Sequence, residues 1–179
     1  MTVVVTARLE GTPITSDAGP LLTGLLTDKR VAATLGGVPS PDALAGMVAR
    51  QAAHWTTHGF GYWLWRDRAT GAVVARGGLH LVVVGGRAEV EVGWAVAAER
   101  WGEGLASELG AAAVAHAFGP LGLSELVAFT LPANMTSRRV MEKLGFSREE
   151  LHVEHAGLDH VLYRLRAPDE TAGPEGELA

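Results

Sequence analysis

The sequence predicts an α/β domain built on a mixed, mostly antiparallel sheet with flanking helices. Two patterns carry that prediction. Between Tyr62 and Ala97 the apolar residues recur with period two, broken only at Arg66–Gly71 and at Gly85-Gly86, which marks an antiparallel meander. An Ala- and Leu-rich helical segment, Leu105 to Phe118, then separates the meander from the short apolar run Leu126 to Thr130. A single right-handed crossover of that kind makes its two flanking strands parallel neighbours. The size agrees. A chain of 179 residues suits one domain, and 47% hydrophobic with 20% charged residues is a globular composition.

The elements follow in order. Thr2 to Glu10 is β-branched and reads as an opening strand. Asp17 to Thr27 places Leu21, Leu22, Leu25 and Leu26 at helix spacing. After the break Gly36-Gly37-Val38-Pro39, Ser40 stands as an N-cap with Pro41 at the first helical position. That helix carries Leu44, Met47, Val48, Gln51, Ala52 and Trp55 on its core side and ends near Gly59. Three strands follow, at 62–65, 72–84 and 87–97, then the crossover helix stopped by Gly119-Pro120. Leu126–Thr130 is a buried strand, Asn134–Leu144 a helix, and Arg148–Arg166 a hairpin turning at Ala156-Gly157. Residues 1–166 make the predicted domain, and the acidic, Gly- and Pro-rich stretch 167–179 reads as a disordered tail.

Composition also excludes functions. The chain has no cysteine, which removes disulfide frameworks, Cys-ligated metals and thiol nucleophiles together. A net charge of -5 argues against a nucleic-acid partner. The longest uncharged stretch, Leu109 to Ser124, carries His116 and a Gly-Pro break and falls short of the ~20 apolar residues of a membrane span. With no signal-peptide pattern at Met1–Gly11, a soluble cytoplasmic protein is expected.

Chemistry is signalled in two places. The segment Trp101-Gly102-Glu103-Gly104-Leu105-Ala106-Ser107 lies between a strand and a helix. Glycines there let a ligand approach the backbone, and the first helical turn leaves N–H groups unsatisfied, an anion site suited to a pyrophosphate. An ordinary strand-to-helix turn is the alternative. No Lys-Ser/Thr pair follows, and Ser107 replaces the third glycine of a dinucleotide fingerprint, so nucleotide hydrolysis and hydride transfer lose support. The second segment runs from Pro132 to Phe146. Asn134 reads there as a helix cap, Val140, Met141 and Leu144 as core residues and Gly145 as a left-handed C-terminal cap.

Together, WGEGLA, a helix, a short strand and N-x-x-S-R-x-V-M-E-K-L-G-F resemble the GNAT superfamily of acetyl-CoA-dependent N-acetyltransferases, most nearly its RimJ/RimL-type branch. The resemblance covers nearly the whole chain up to Arg166 and implies the GNAT fold, with a splayed parallel pair of central strands. It implies that the backbone from Gly102 to Ala106, with Trp101 and Ser107 beside it, holds the pyrophosphate of acetyl-CoA. Trp94 to Val96 would pair with the pantetheine arm, Asn134 would hydrogen-bond it, and Ser137 would lie near the thioester sulfur. Two positions depart from the family pattern: Trp101 stands where many members carry Gln or Arg, and Met141 where many carry an acidic tyrosine. Ser137 is the implied substitute acid.

The implied partners are acetyl-CoA and an amine, a protein N-terminus or a small molecule, with no membrane, nucleic acid or metal and with a monomer or homodimer. The amine must be neutral to attack, so a base is needed. Glu91 occupies the position by analogy, and Glu89 shares its strand face, where like charge could raise one carboxylate's pKa. Solvent-facing strand carboxylates are the alternative. An acidic cleft would draw a cationic amine. His54 and His58 read as structural or pocket residues in preference to metal ligands, and His152 and His160 as partners across the last hairpin. Arg138, Arg139, Lys143 and Arg148 form a basic cluster that would meet the CoA 3′-phosphate or simply solvent. Trp55, Trp63 and Trp65 belong to the core or to the acceptor pocket. The rival functions are a non-catalytic CoA sensor on the same fold and an interaction domain without a cofactor.

Overall fold

A computed structural model describes residues 2–155 and 157–168. The expected tail from 169 onward and the turn residue Ala156 lie outside the described residues. In chain order the elements are β1 (Val4–Val5), β2 (Leu9–Pro13), α1 (Gly19–Thr27), α2 (Lys29–Ala33), α3 (Pro41–His58), β3 (Tyr62–Asp67), β4 (Val73–Val84) and β5 (Arg87–Val96). They continue with α4 (Leu105–Phe118), β6 (Glu125–Thr130), α5 (Met135–Lys143), β7 (Ser147–His155) and β8 (Leu158–Arg166). The strands form one eight-stranded sheet in the order β1-β2-β3-β4-β5-β6-β8-β7. Its pairings are antiparallel except β5 with β6.

Local chemistry explains most boundaries. Ser40 Oγ accepts from the Ala43 N–H at 3.2 Å and Gly59 closes α3 at a left-handed φ of 76°, so both α3 signals in the sequence operate. The opening strand is a correction: it is two short strands joined by a turn at Thr6–Arg8. The cause is remote. Glu108 of α4 accepts from the Thr6 hydroxyl at 2.6 Å and from the Arg8 backbone and side chain, both at 2.7 Å, and pulls the turn onto the helix. The additional helix α2 starts where Asp28 accepts from the Arg30 N–H at 2.8 Å.

The sheet separates two apolar layers. Under α4 and α5 lie Trp63, Trp65, Leu79, Val92, Leu109 and Met141. Under α1, α2 and α3 lie Leu22, Leu26, Val31, Val48, Tyr62 and Leu64. The indole N–H groups of Trp55, Trp63 and Trp65 donate to the carbonyls of Tyr62, Thr2 and Gly77 at 2.7, 2.8 and 3.0 Å. These three tryptophans are core members, as buried indoles with satisfied N–H groups should be. Among the described residues no helix is long and apolar enough to cross a membrane.

Candidate active site

Strands β5 and β6 touch at a single parallel bridge, Glu91 to Val127. Beyond it they diverge. Antiparallel partners on the outer sides of both strands hold them in place, β4 against β5 and β8 against β6, so the divergence leaves a slot in the middle of the sheet. A cavity of about 810 Å³ occupies it. Its lining comes from both layers: Gly102, Gly104 to Ser107, Asn134 and Ser137 on the α4–α5 side, and Arg50, Gln51, Tyr62, Arg76, His80 and Glu91 on the α1–α3 side. The slot therefore has two mouths joined through the sheet.

At the first mouth the backbone supplies the polar groups. Gly104 is the N-terminal cap of α4 in the left-handed region, φ 80°, and no side chain caps the helix. The first intrahelical acceptor is the Gly104 carbonyl, which takes the Glu108 N–H at 3.1 Å. The N–H groups of Leu105, Ala106 and Ser107 thus precede the helical ladder and form the positive end of its dipole. Arginines brace the turn: Arg100 bonds Glu103 at 2.8 Å and Asp67 at 3.0 Å, and Arg8 donates to the Glu103 carbonyl at 2.8 Å. Glu103 itself does not line the cavity, so its carboxylate is structural. Trp101 is 47% exposed, and its indole N–H donates to the Val96 carbonyl at 2.8 Å. That carbonyl is therefore engaged within the chain. Trp94, Ala95 and Val96 line the slot beside it, with Trp94 also packed over Gly110 of α4.

The α5 segment closes the same mouth. Asn134 Oδ1 accepts from the Ser137 N–H at 3.1 Å, and its amide donates to Thr130 Oγ1 at 3.1 Å. Asn134 is thus a cap tied to the end of β6 while it lines the slot. Among the described residues the Ser137 hydroxyl makes no hydrogen bond, and it too lines the slot. Met141 is 2% exposed and supplies apolar wall.

The second mouth is built of side chains over glycines. Register places His80 opposite Glu91 and Gly78 opposite Gly93, with Tyr62 opposite Gly78, so all five share one face. The Tyr62 phenol fills the space that glycine leaves, since a Cβ on Gly93 would stand 2.0 Å from its oxygen. Tyr62 is buried, and burial first, then the nearby Glu91 charge, hold its pKa well above the usual phenol range. Burial pushes the Glu91 carboxyl up to about 7, against the opposing pull of Arg76. Arg76 stacks over the Tyr62 ring, 5.1 Å from its centroid. His80 Nδ1 donates to the Leu81 carbonyl at 2.7 Å, and burial lowers its pKa.

Several sequence expectations change here. Glu89 does not join Glu91 as a like-charge pair: Arg164 holds it with contacts of 3.2 Å and also holds Glu125 at 2.8 Å and Glu149 at 2.5 Å. Glu91 owes its raised pKa to burial. His54 is structural, bonding the Phe60 carbonyl at 2.8 Å and accepting from the Leu81 N–H at 3.1 Å. His152 and His160 are offset by register: His152 bonds Asp159 at 2.8 Å, while His160 opposes Val153 and packs on His155 and Phe129. Of the basic cluster, Arg138 is committed to the Tyr163 hydroxyl at 3.1 Å and to the Pro132 carbonyl. Among the described residues, no group of three or more His, Asp or Glu side chains is arranged to hold a metal. Tyr62, Arg76 and His80 were missed by sequence reasoning. The adjacent Gly77-Gly78 inside a strand was the available signal, since such glycines mark close approach by a neighbour.

The family model for the acetyltransferase (GNAT) domain matches residues 8–147. The chain belongs to the GNAT acetyltransferase family. A curated relative, an uncharacterized N-acetyltransferase named YoaA from Bacillus subtilis, is 32% identical over 109 residues, 61% of this chain and 58% of that protein. The match thus spans little more than half of that relative's length. An acetyltransferase from Agrobacterium tumefaciens superposes with a TM-score of 0.82 at 25% identity, covering 93% of this GNAT chain and 95% of that one. The ribosomal L7/L12 α-N-protein acetyltransferase RimL, solved in complex with coenzyme A, superposes at 0.72 with 16% identity over 92% and 98% of the two chains, a likeness of fold.

Proposed function

We propose that the protein is an acetyl-CoA-dependent N-acetyltransferase that passes the acetyl group directly to an amine, on a RimJ/RimL-like plan. The observation that carries this reading is the through-sheet slot, with backbone N–H donors at one mouth and a half-buried carboxylate at the other. The donor set fits the cofactor: a pyrophosphate accepts hydrogen bonds, and Leu105, Ala106 and Ser107 offer them with no competing side-chain cap. Trp94 offers backbone to the pantetheine arm along the splayed edge, whereas Ala95 turns its backbone groups to Arg76 of β4 and the Val96 carbonyl is already engaged by Trp101. The thioester carbonyl of acetyl-CoA supplies the electrophile.

The amine enters from the α1–α3 mouth. Glu91 accepts its proton as the nitrogen bonds the carbonyl carbon; the carbon–sulfur bond breaks, and the Ser137 hydroxyl gives a proton to the departing thiolate while taking one from water. Glu91 is suited to this role because a base is most useful when its pKa lies near working pH. The test is a melt of the protein with and without acetyl-CoA, joined to thiol release in the presence of amines. Acetyl-CoA at a hundred times its Kd should stabilise the fold by about 2.7 kcal/mol, and thiol release should then depend on the amine. Absence of any shift at millimolar acetyl-CoA sinks the reading. A shift without turnover of any amine leaves a CoA-binding domain.

A further inference from the structure

We propose that the acceptor amine also carries a carboxylate, and that Arg76, with Arg50 at the rim, is the group that binds it. This rests on the acetyltransferase reading and names the class of its second substrate. Five arginines of the described chain are half-buried: Arg66, Arg76, Arg100, Arg138 and Arg164. Four of them are satisfied, by the Gly71 carbonyl, by Asp67 and Glu103, by Tyr163 and Pro132, and by Glu89 with its neighbours. Arg76 is the exception. Among the described residues its side chain takes part in no ion pair; its guanidinium lies against Tyr62, and its Nε is buried without a partner. Such a group costs free energy unless something arrives to pair it.

The surroundings indicate what arrives. Arg76 lines the slot at the same mouth as Glu91, close enough to influence its charge, yet forms no ion pair with it. Arg50 lines that mouth as well, with no ion pair among the described residues, and its charge reaches His80. A guanidinium fork matches a planar carboxylate with two parallel hydrogen bonds. The opposite need is present too: Gln51 Oε1, on α3, is a buried acceptor without a donor, and an amine N–H can supply one. An unpaired cation and an unpaired acceptor beside a base of raised pKa suit an amino-acid-like acceptor. A polycationic amine would meet two arginines of like charge instead. The cationic acceptor suggested by the overall negative charge is therefore disfavoured by the local charges.

The test compares free amino acids of varied side chain with their C-terminal amides as acceptors. The free acids should be favoured in kcat/KM by about 100-fold, the worth of a charge-assisted pair. R76Q should bring the ratio close to one, acting mainly through KM, and R76K should restore part of it. A binding arm needs no turnover: N-acetyl amino acids should raise the Tm of the CoA-loaded protein, their amides should not, and R76Q should lose the acid's effect while keeping that of CoA. Should R76Q not fold, R50Q should reduce the same preference by roughly 5-fold, as expected of a more exposed charge. If CoA stabilises but no amine reacts, the transfer reading fails, and the binding arm still decides this one. Amides as good as acids, R76Q without effect on the ratio, or no stabilisation by any N-acetyl amino acid would overturn the proposal.

Discussion

The two mouths of the slot are built on opposite plans. On the α4–α5 side the polar groups are backbone: uncapped helix amides behind a left-handed glycine, with the side chains of Arg8 and Arg100 used to brace the turn. On the α1–α3 side they are side chains seated over glycines, Glu91, Tyr62, Arg76 and His80, whose positions depend on strand register and on the helices packed above. A backbone site suits a group common to many proteins, since it needs only a turn and a helix start. A side-chain site can be remade by a few substitutions, which suits the partner that gives specificity.

Breaking the second mouth should have the largest effect. Glu91→Gln should lower kcat by about 10²- to 10⁴-fold while leaving the acetyl-CoA-induced rise in Tm intact, measured by thiol release and by melts. The wild-type rate should rise with pH through about 7, because the carboxylate must be ionised to take a proton. In the variant that inflection should vanish. The same raised pKa makes a stability prediction. Folded Glu91 keeps its proton from the ordinary carboxylate range up to about 7, so its stabilising contribution is complete at low pH and is lost as pH rises through 7. Glu91→Gln should accordingly be more stable than wild type at pH 8 and no more stable at pH 4, by denaturant unfolding.

Glu89 sharpens the contrast, being two residues away on the same face. Arg164→Met leaves buried Glu89 with only the 3.6 Å contact of the exposed Arg87 and should cost about 3 kcal/mol of stability. The protein that remains folded should keep its turnover per active molecule. Equal loss of kcat in the two variants would mean that both carboxylates belong to one functional unit. At the first mouth, Gly104→Val forces a β-branched residue to φ 80° and should remove most of the acetyl-CoA-induced stabilisation of about 2.7 kcal/mol in melts at fixed ligand. The smallest effect is expected from Ser137→Ala, about 10-fold in kcat with little change in KM, since water can partly replace the hydroxyl.

How much was legible follows the same division. The helix α4 was read to the residue, and α3 from its Ser40 cap to the Gly59 stop, because capping, period and glycine chemistry act within a few positions of the residues concerned. The meander, the parallel neighbours and the glycine turn were readable for the same reason. The split first strand was not, since the group that bends it, Glu108, stands about 100 residues away. The offset of His152 from His160 was legible but overlooked, because a tight turn that pairs His155 with Leu158 already sets His152 opposite Val161.

The chain's local patterns therefore determined the order of most elements, the family and the glycine turn of the candidate site. Tertiary structure decided which of two neighbouring carboxylates is free. Glu89 and Glu91 are chemically identical and share a strand face; only the arrival of Arg164 from β8 beside one, and of Tyr62 and Arg76 from β3 and β4 beside the other, sets them apart. Pairing and burial act between residues distant in sequence, and no local pattern records them.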